Sequence, residues 1–94
     1  MEKKEYVIVR TYSAGVHVGV LGQRNGEEVV LTEARRVWYW QGANTLHEMS
    51  LHGLKEKGSK VSEEVATITL RGWIEILPCT EEAEKSLRGA AWTK

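Results

Sequence analysis

Arg36, Trp38 and Trp40 alternate along one aromatic segment of the sequence and are the residues best suited to binding chemistry. In a β-strand, residues two apart share a face, so these three side chains would project together. An indole ring beside a guanidinium suits a nucleobase next to a phosphate. The spacing therefore predicts a ligand-binding site formed by Arg35, Arg36, Trp38 and Trp40.

The same segment has a second interpretation, in which the indoles belong to the core. The sequence has no Phe, four Trp and three Tyr, so a chain of 94 residues needs its tryptophans for apolar volume. Trp92 poses the same choice, because an indole near the end of the sequence is exposed unless it docks on its own domain or on a second copy. We count Trp92 as a candidate ligand-binding residue and expect a homo-oligomer.

Metal and nucleophile chemistry have weaker support. His47 and His52 are five residues apart, which places them about 140° apart around a helix and not on one face. Cys79 precedes a predicted helix, a position that lowers a thiol pKa, yet no signature of a catalytic nucleophile surrounds it. The absence of Asp disfavours aspartate pairs and Asp-held magnesium. We expect no enzyme activity, no metal and no cofactor.

Length and charge limit the partners. The chain of 94 residues predicts a single compact domain over residues 1–94. Thirteen Lys and Arg balance thirteen acidic residues, so we expect neither duplex nucleic acid nor a membrane as partner. A single Cys and the lack of a long apolar run favour the cytoplasm.

Local patterns predict the strands that would position these residues. Strands are predicted over residues 5–12, 16–21, 28–32 and 34–42, with further β structure over 61–70 and 66–77. The dipeptide Asn25-Gly26 indicates a two-residue hairpin turn, and Gly72 indicates a bulge. Strands outnumber helices, so the predicted class is α+β: a small antiparallel sheet or open barrel of about five to six strands with two short helices.

The two helices are predicted from their end signals. Asn44 or Thr45 caps the first helix, and Gly53 ends it. Thr80 caps the second. Residues 55–60 are charged and contain glycine, so they predict a solvated loop that tolerates substitution.

A family resemblance covers nearly the whole chain and is carried by three stretches: YVIVRTYSAGVHVGVL, EARRVWYWQGANTLHEMSLHG and WIEILPCTEEAEKSLRGAAW. Their most specific parts are the Arg-x-Trp-x-Trp-x-Gly core that begins at Arg36, the strand Ile74-Glu75-Ile76 and the closing Trp92. They resemble a family of small proteins, a domain of unknown function, encoded by tailed phages and prophages. The resemblance implies phage origin and action in a bacterial host cytoplasm, and it brings no catalytic residues.

The resemblance and the residues together indicate a non-enzymatic binding protein. Phages encode small anti-defence sponges that sequester nucleotide-derived immune signals, such as cyclic oligonucleotides, without cleaving them. The size, neutrality and aromatic-plus-arginine content of the chain fit that class. The alternative is a protein-binding or virion-accessory module that modulates a host protein.

Overall fold

The computed structural model describes residues 5–41 and 43–90, which form six strands and two helices. The elements are β1 (Tyr6–Thr11), β2 (Val16–Asn25), β3 (Glu28–Gln41), α1 (Leu46–His52), β4 (Lys55–Val61), β5 (Val65–Arg71), β6 (Trp73–Pro78) and α2 (Glu81–Gly89). The predicted meander of the first three strands is confirmed, since β1 pairs with β2 and β2 with β3.

All strand pairs are antiparallel, and the sheet order is β4-β3-β2-β1-β6. The first half of β3 pairs with β5 and the second half with β4, so both strands lie along the same edge of β3. The sheet curls into a half-barrel that carries the two helices. The predicted α+β class is confirmed.

Alternate residues of β1 contribute to two cores. Tyr6 and Ile8 pack with Met49 of α1 and Leu87 of α2. Val7 lies on the other face, among residues of β3 and β5. Each buried side chain of this size stabilises the fold by about 1.5–3 kcal/mol. Strand β1 is therefore buried on both faces, one against the helices and one against the curled sheet.

The hairpin of β2 and β3 turns one residue later than predicted. Asn25 pairs with Glu28, so the two central residues of the turn are Gly26 and Glu27. Gly26 has a φ of +57°, which glycine adopts without steric penalty. The Trp73 Nε1 donates a hydrogen bond of 3.0 Å to the Gly26 carbonyl, which ties the start of β6 to this turn.

The strands predicted over residues 28–32 and 34–42 are one continuous strand, β3, as far as Gln41; Gly42 lies outside the described residues. The junction is at Glu33, whose φ is +50°. The strand continues through this irregular residue because both its halves pair with β2.

The loop predicted over residues 55–60 is wrong, because these residues belong to β4. Ser59 and Val61 are buried in the paired strand. Charge and glycine content indicate only the local conformational preference of residues 55–60. When these residues form a strand, their backbone N–H and C=O groups pair with those at the edge of β3, which would otherwise lack partners. Pairing with β3 therefore overrides the local signal.

The β structure predicted between residues 61 and 77 divides into β5 and β6. Gly72, predicted as a bulge, connects the two strands with a φ of +78°. Its N–H donates to the Glu27 carbonyl at 2.9 Å, and its own carbonyl accepts from the Tyr12 N–H at 2.9 Å. These bonds fix the connection beside the β2–β3 turn.

Both helices begin at the predicted caps. The Thr45 side chain accepts from the Glu48 N–H, and Gly53 ends α1 with a φ of +80°. The Thr80 side chain accepts from the Ala83 N–H at the start of α2. In the described part of the chain, no helix has the length and apolar character that crossing a membrane requires.

Candidate functional site

A bulge in β3 separates Trp38 from Trp40. Between Val37 and Tyr39 the register advances by two residues on β3 and by one on β4, so Trp38 is the extra residue. Because of this extra residue, the side chains that follow it change faces. Trp40 therefore lies on the same face as Val37 and packs against the core that contains it. The predicted row of Arg36, Trp38 and Trp40 on one face is therefore wrong.

Trp40 lines an open groove of about 390 Å³ at one end of the sheet. The lining comes from the end of β1, the start of β2, the end of β3 and the chain entering α1. The lining residues are Arg10, Thr11, Gly15, Val16, Trp40, Asn44, Thr45 and Leu46. We call this site the Trp40 groove. Its volume and its few polar groups on an apolar lining are typical of small-molecule sites.

Arg10 reaches the groove because of the alternation in β1. It lies on the same face as the buried Tyr6 and Ile8, but its own side chain stays half exposed. Its Nη1 is 3.3 Å from the Oε1 of Glu75, which pairs with it in register on β6. An exposed ion pair of this kind contributes about 0–1 kcal/mol, so the guanidinium remains available to a ligand.

Thr11 fixes the turn that forms one wall of the Trp40 groove. Its Oγ1 donates to the Gly15 carbonyl at 2.9 Å and accepts from the Ala14 N–H at 2.8 Å. Gly15 has a φ of +87°, and a Cβ built on it would lie 3.0 Å from the Arg36 Nη2. The predicted ligand residue Arg36 therefore lies close to Gly15, but it is not one of the lining residues of the groove, because it alternates with Val37 and projects from the face of β3 opposite to Trp40.

Arg35 has a different environment from Arg36. It is 5% exposed, and its Nε donates to the Ser62 carbonyl at 2.9 Å. Its Nη1 donates to the carbonyl oxygens of Leu87 and Arg88, at 2.9 and 3.1 Å. These bonds use the guanidinium inside the protein, so we assign Arg35 a structural role and leave it out of the ligand site.

Trp38 lies on an exposed patch that we call the Trp38 patch: Trp38, Tyr39 and Lys60. Trp38 is 43% exposed and Tyr39 48%. The Lys60 Nζ lies 4.9 Å from the centre of the Trp38 ring and 6.0 Å from that of Tyr39, within the range of cation–π attraction. The structure thus places Trp38 apart from the Trp40 groove.

Of the eight lining residues of the groove, Trp40 was predicted as a site residue and seven were not, among them Arg10, Asn44 and Thr45. The available signal was Arg10, an arginine on the otherwise apolar face of β1. Asn44 and Thr45 read only as helix caps. Trp92, the remaining candidate, lies outside the described residues.

A second cavity, of about 280 Å³, lies where β6 meets α2. Its lining residues are Glu5, Tyr6, Pro78, Cys79, Thr80, Glu81 and Glu84. Burial, with a smaller contribution from Glu84, raises the pKa of the Cys79 thiol to about 12. The lowered pKa suggested by the position before a helix is therefore wrong, since desolvation opposes the thiolate there. A cavity lined by three glutamates does not suit an anion.

His17 is a buried histidine in β2. It is 7% exposed, and its Nδ1 is buried without a hydrogen-bond partner in the described part of the chain. Burial, and next the charge of Arg36, lower the pKa of His17. Within residues 5–41 and 43–90, no three His, Cys or Glu side chains are grouped so as to hold a metal ion.

A family model described as Domain of unknown function (DUF6948) matches residues 4–87, so the chain belongs to that family. Neither the comparison with curated proteins nor that with solved structures gave a match.

Proposed function

We propose that this member of the DUF6948 family is a non-enzymatic protein that binds a planar, anionic small molecule of the nucleotide class in the Trp40 groove. One observation carries the proposal: Trp40 and Arg10 line the same open groove of about 390 Å³. Asn44 and Thr45 border it with polar side chains.

The groove offers the two contacts that a nucleotide needs. The indole of Trp40 is partly buried against the core, which holds the ring in a fixed position for stacking on a base. The guanidinium of Arg10 uses one N–H in its contact with Glu75, and its remaining donors suit phosphate oxygens.

The lining favours binding over catalysis. Among the described residues that line the groove there is no His, Cys or Glu to serve as a general base or nucleophile. Cys79 lines the other cavity, and its raised pKa keeps the thiol protonated at neutral pH. Both observations support a protein that holds its ligand unchanged.

In its finer form, the proposal is an anti-defence sponge that sequesters a cyclic oligonucleotide signal. The proposed phage origin of the protein and its proposed action in a bacterial host cytoplasm rest on the sequence resemblance. The groove volume is near the lower end of the range for ligand sites, about 300–1,000 Å³. A cyclic oligonucleotide would therefore engage more than one groove, which is the reason to propose a homo-oligomer.

The test is a panel of nucleotides and cyclic oligonucleotides, measured by thermal shift and by tryptophan fluorescence on the full chain. A ligand at 100 times its Kd adds about 2.7 kcal/mol to the free energy of unfolding. Trp40→Leu should weaken binding by roughly 5- to 150-fold, because stacking on one base is worth about 1–3 kcal/mol. Arg10→Lys should also weaken binding, since it removes the planar fork.

Trp38→Leu is the matched control, because it removes an indole two residues away and outside the groove. Equal binding losses in Trp38→Leu and Trp40→Leu would contradict the assignment of the site. The absence of any thermal shift across the panel would contradict the proposed function.

A protein partner is the second candidate, and the Trp38 patch favours it. Two exposed aromatic rings, Trp38 and Tyr39, are of the residue types enriched at protein interfaces. In that case Trp38→Leu would abolish capture of the partner, while nucleotides would leave the melting temperature unchanged.

A further inference from the structure

Glu75 neutralises Arg10 at the edge of the Trp40 groove before any ligand arrives. The two residues pair in register on β1 and β6, and the Arg10 Nη1 lies 3.3 Å from the Glu75 Oε1. The side chains are 51% and 35% exposed, so a ligand on Arg10 would lie in reach of the Glu75 charge.

A second carboxylate lies close to the groove. The Glu48 Oε1 accepts a hydrogen bond of 2.9 Å from the backbone N–H of Asn44, a lining residue. Among the described residues that line the groove, Arg10 is the one cation, and Glu75 already pairs with it.

We propose that Glu75 makes the Trp40 groove selective for phosphodiesters over phosphomonoesters. This inference rests on the proposed function and names the chemical class of its ligand. A phosphodiester carries one negative charge per phosphate, whereas a phosphomonoester carries about 1.5 to 2 at neutral pH. Because Glu75 already matches the charge of Arg10, the described lining holds no unpaired positive charge to compensate the second charge of a phosphomonoester.

The selectivity follows from Coulomb repulsion between Glu75 and the phosphate. Arg10 keeps further N–H donors for one phosphate group, because the contact with Glu75 uses only Nη1. Each negative charge on the ligand, however, is repelled by the fixed carboxylate. At separations of several ångströms near a protein surface, that repulsion corresponds to roughly a 3- to 10-fold change in affinity per charge.

The experiment compares two probes that share a base and a sugar: cyclic AMP, a phosphodiester, and AMP, a phosphomonoester. Their Kd values are measured by titration calorimetry on the full wild-type chain and on Glu75→Gln. Wild type should bind cyclic AMP more tightly than AMP. Glu75→Gln should bind both probes more tightly, with the gain for AMP about 3-fold larger, because AMP carries the additional charge.

Glu5→Gln is the matched control. It removes one negative charge just before β1, at the end of that strand away from Arg10. In this variant, the ratio of the Kd for AMP to the Kd for cyclic AMP should equal that of wild type. A second pair of probes, cyclic di-AMP and the linear diadenylate with a terminal phosphate, should show the same change of ratio in Glu75→Gln.

The possible failures are distinguishable. If the probes bind and the ratio of their Kd values is the same in wild type and Glu75→Gln, the proposed selectivity is overturned and the proposed function is left intact. If wild type binds AMP more tightly than cyclic AMP, the proposed selectivity is likewise overturned and the proposed function is left intact. If neither pair of probes binds wild type or Glu75→Gln, the proposed function is overturned together with the inference.

Discussion

Arg35 and Leu87 are joined by a hydrogen bond of 2.9 Å from the Arg35 Nη1 to the Leu87 carbonyl, near the C-terminal end of α2. The last carbonyls of a helix have no partner within the helix, and a cation is favourable beside them. The same guanidinium also binds the carbonyls of Arg88 and Ser62. Arg35 therefore fastens α2 and the segment after β4 to β3.

Arg35→Lys should destabilise the protein by about 2–3 kcal/mol, because an ammonium cannot reach the three carbonyls in the fork geometry and leaves buried acceptors unpaired. Arg36→Lys, at the neighbouring exposed position, should change the free energy of unfolding by no more than about 0.5 kcal/mol. Urea unfolding of both variants measures the difference. Equal effects would contradict the distinct roles of the two arginines.

This pair shows what sequence could and could not predict. Arg35 and Arg36 are adjacent and chemically identical, and their roles depend on partners far along the chain: Ser62 is 27 residues from Arg35, and Leu87 is 52. Helix caps and the β2–β3 turn, in contrast, depend on residues within a few positions. They were predicted close to where they lie because their signals are local.

The aromatic segment shows the same division. Its composition correctly predicted a strand, and Trp40 does line a groove with an arginine. The arginine in the lining is Arg10, and the bulge at Trp38 changes which face each indole occupies. A bulge is a property of the pairing between two strands, so an alternating pattern in one strand cannot reveal it.

Gly58→Ala tests the backbone conformation of residue 58 within β4. Its φ is +92°, a region that side-chain-bearing residues rarely adopt. Gly58→Ala should therefore destabilise the protein by about 1–2 kcal/mol, measured by thermal or urea unfolding.

Gly89→Ala in the last turn of α2 is the control for Gly58→Ala. No atom lies within 4 Å of a Cβ built there, and alanine favours the helix, so stability should be unchanged or raised by up to about 1 kcal/mol. A neutral Gly58→Ala would contradict the positive φ at residue 58.

Cys79 should react slowly with alkylating reagents in the folded protein. Its pKa is raised to about 12, so only a minute fraction is thiolate, the reactive form, at about pH 8. Iodoacetamide labelling followed by mass spectrometry should be slow in buffer and should become fast in concentrated urea, where the burial is lost. Fast labelling of the folded protein would contradict the environment assigned to Cys79.

His17 should make the protein less stable in mild acid. Burial lowers its pKa in the folded state below 6.5, so the unfolded chain binds the proton more readily. The stability that neutral His17 contributes is complete above pH 6.5 and is lost as the pH falls from 6.5 toward the folded-state pKa, by at most about 1.4 kcal/mol per pH unit. His17→Gln removes this titration. Urea unfolding of both proteins between about pH 7.5 and pH 5 should show a steeper loss for wild type, whereas parallel curves would assign the acid sensitivity to other groups.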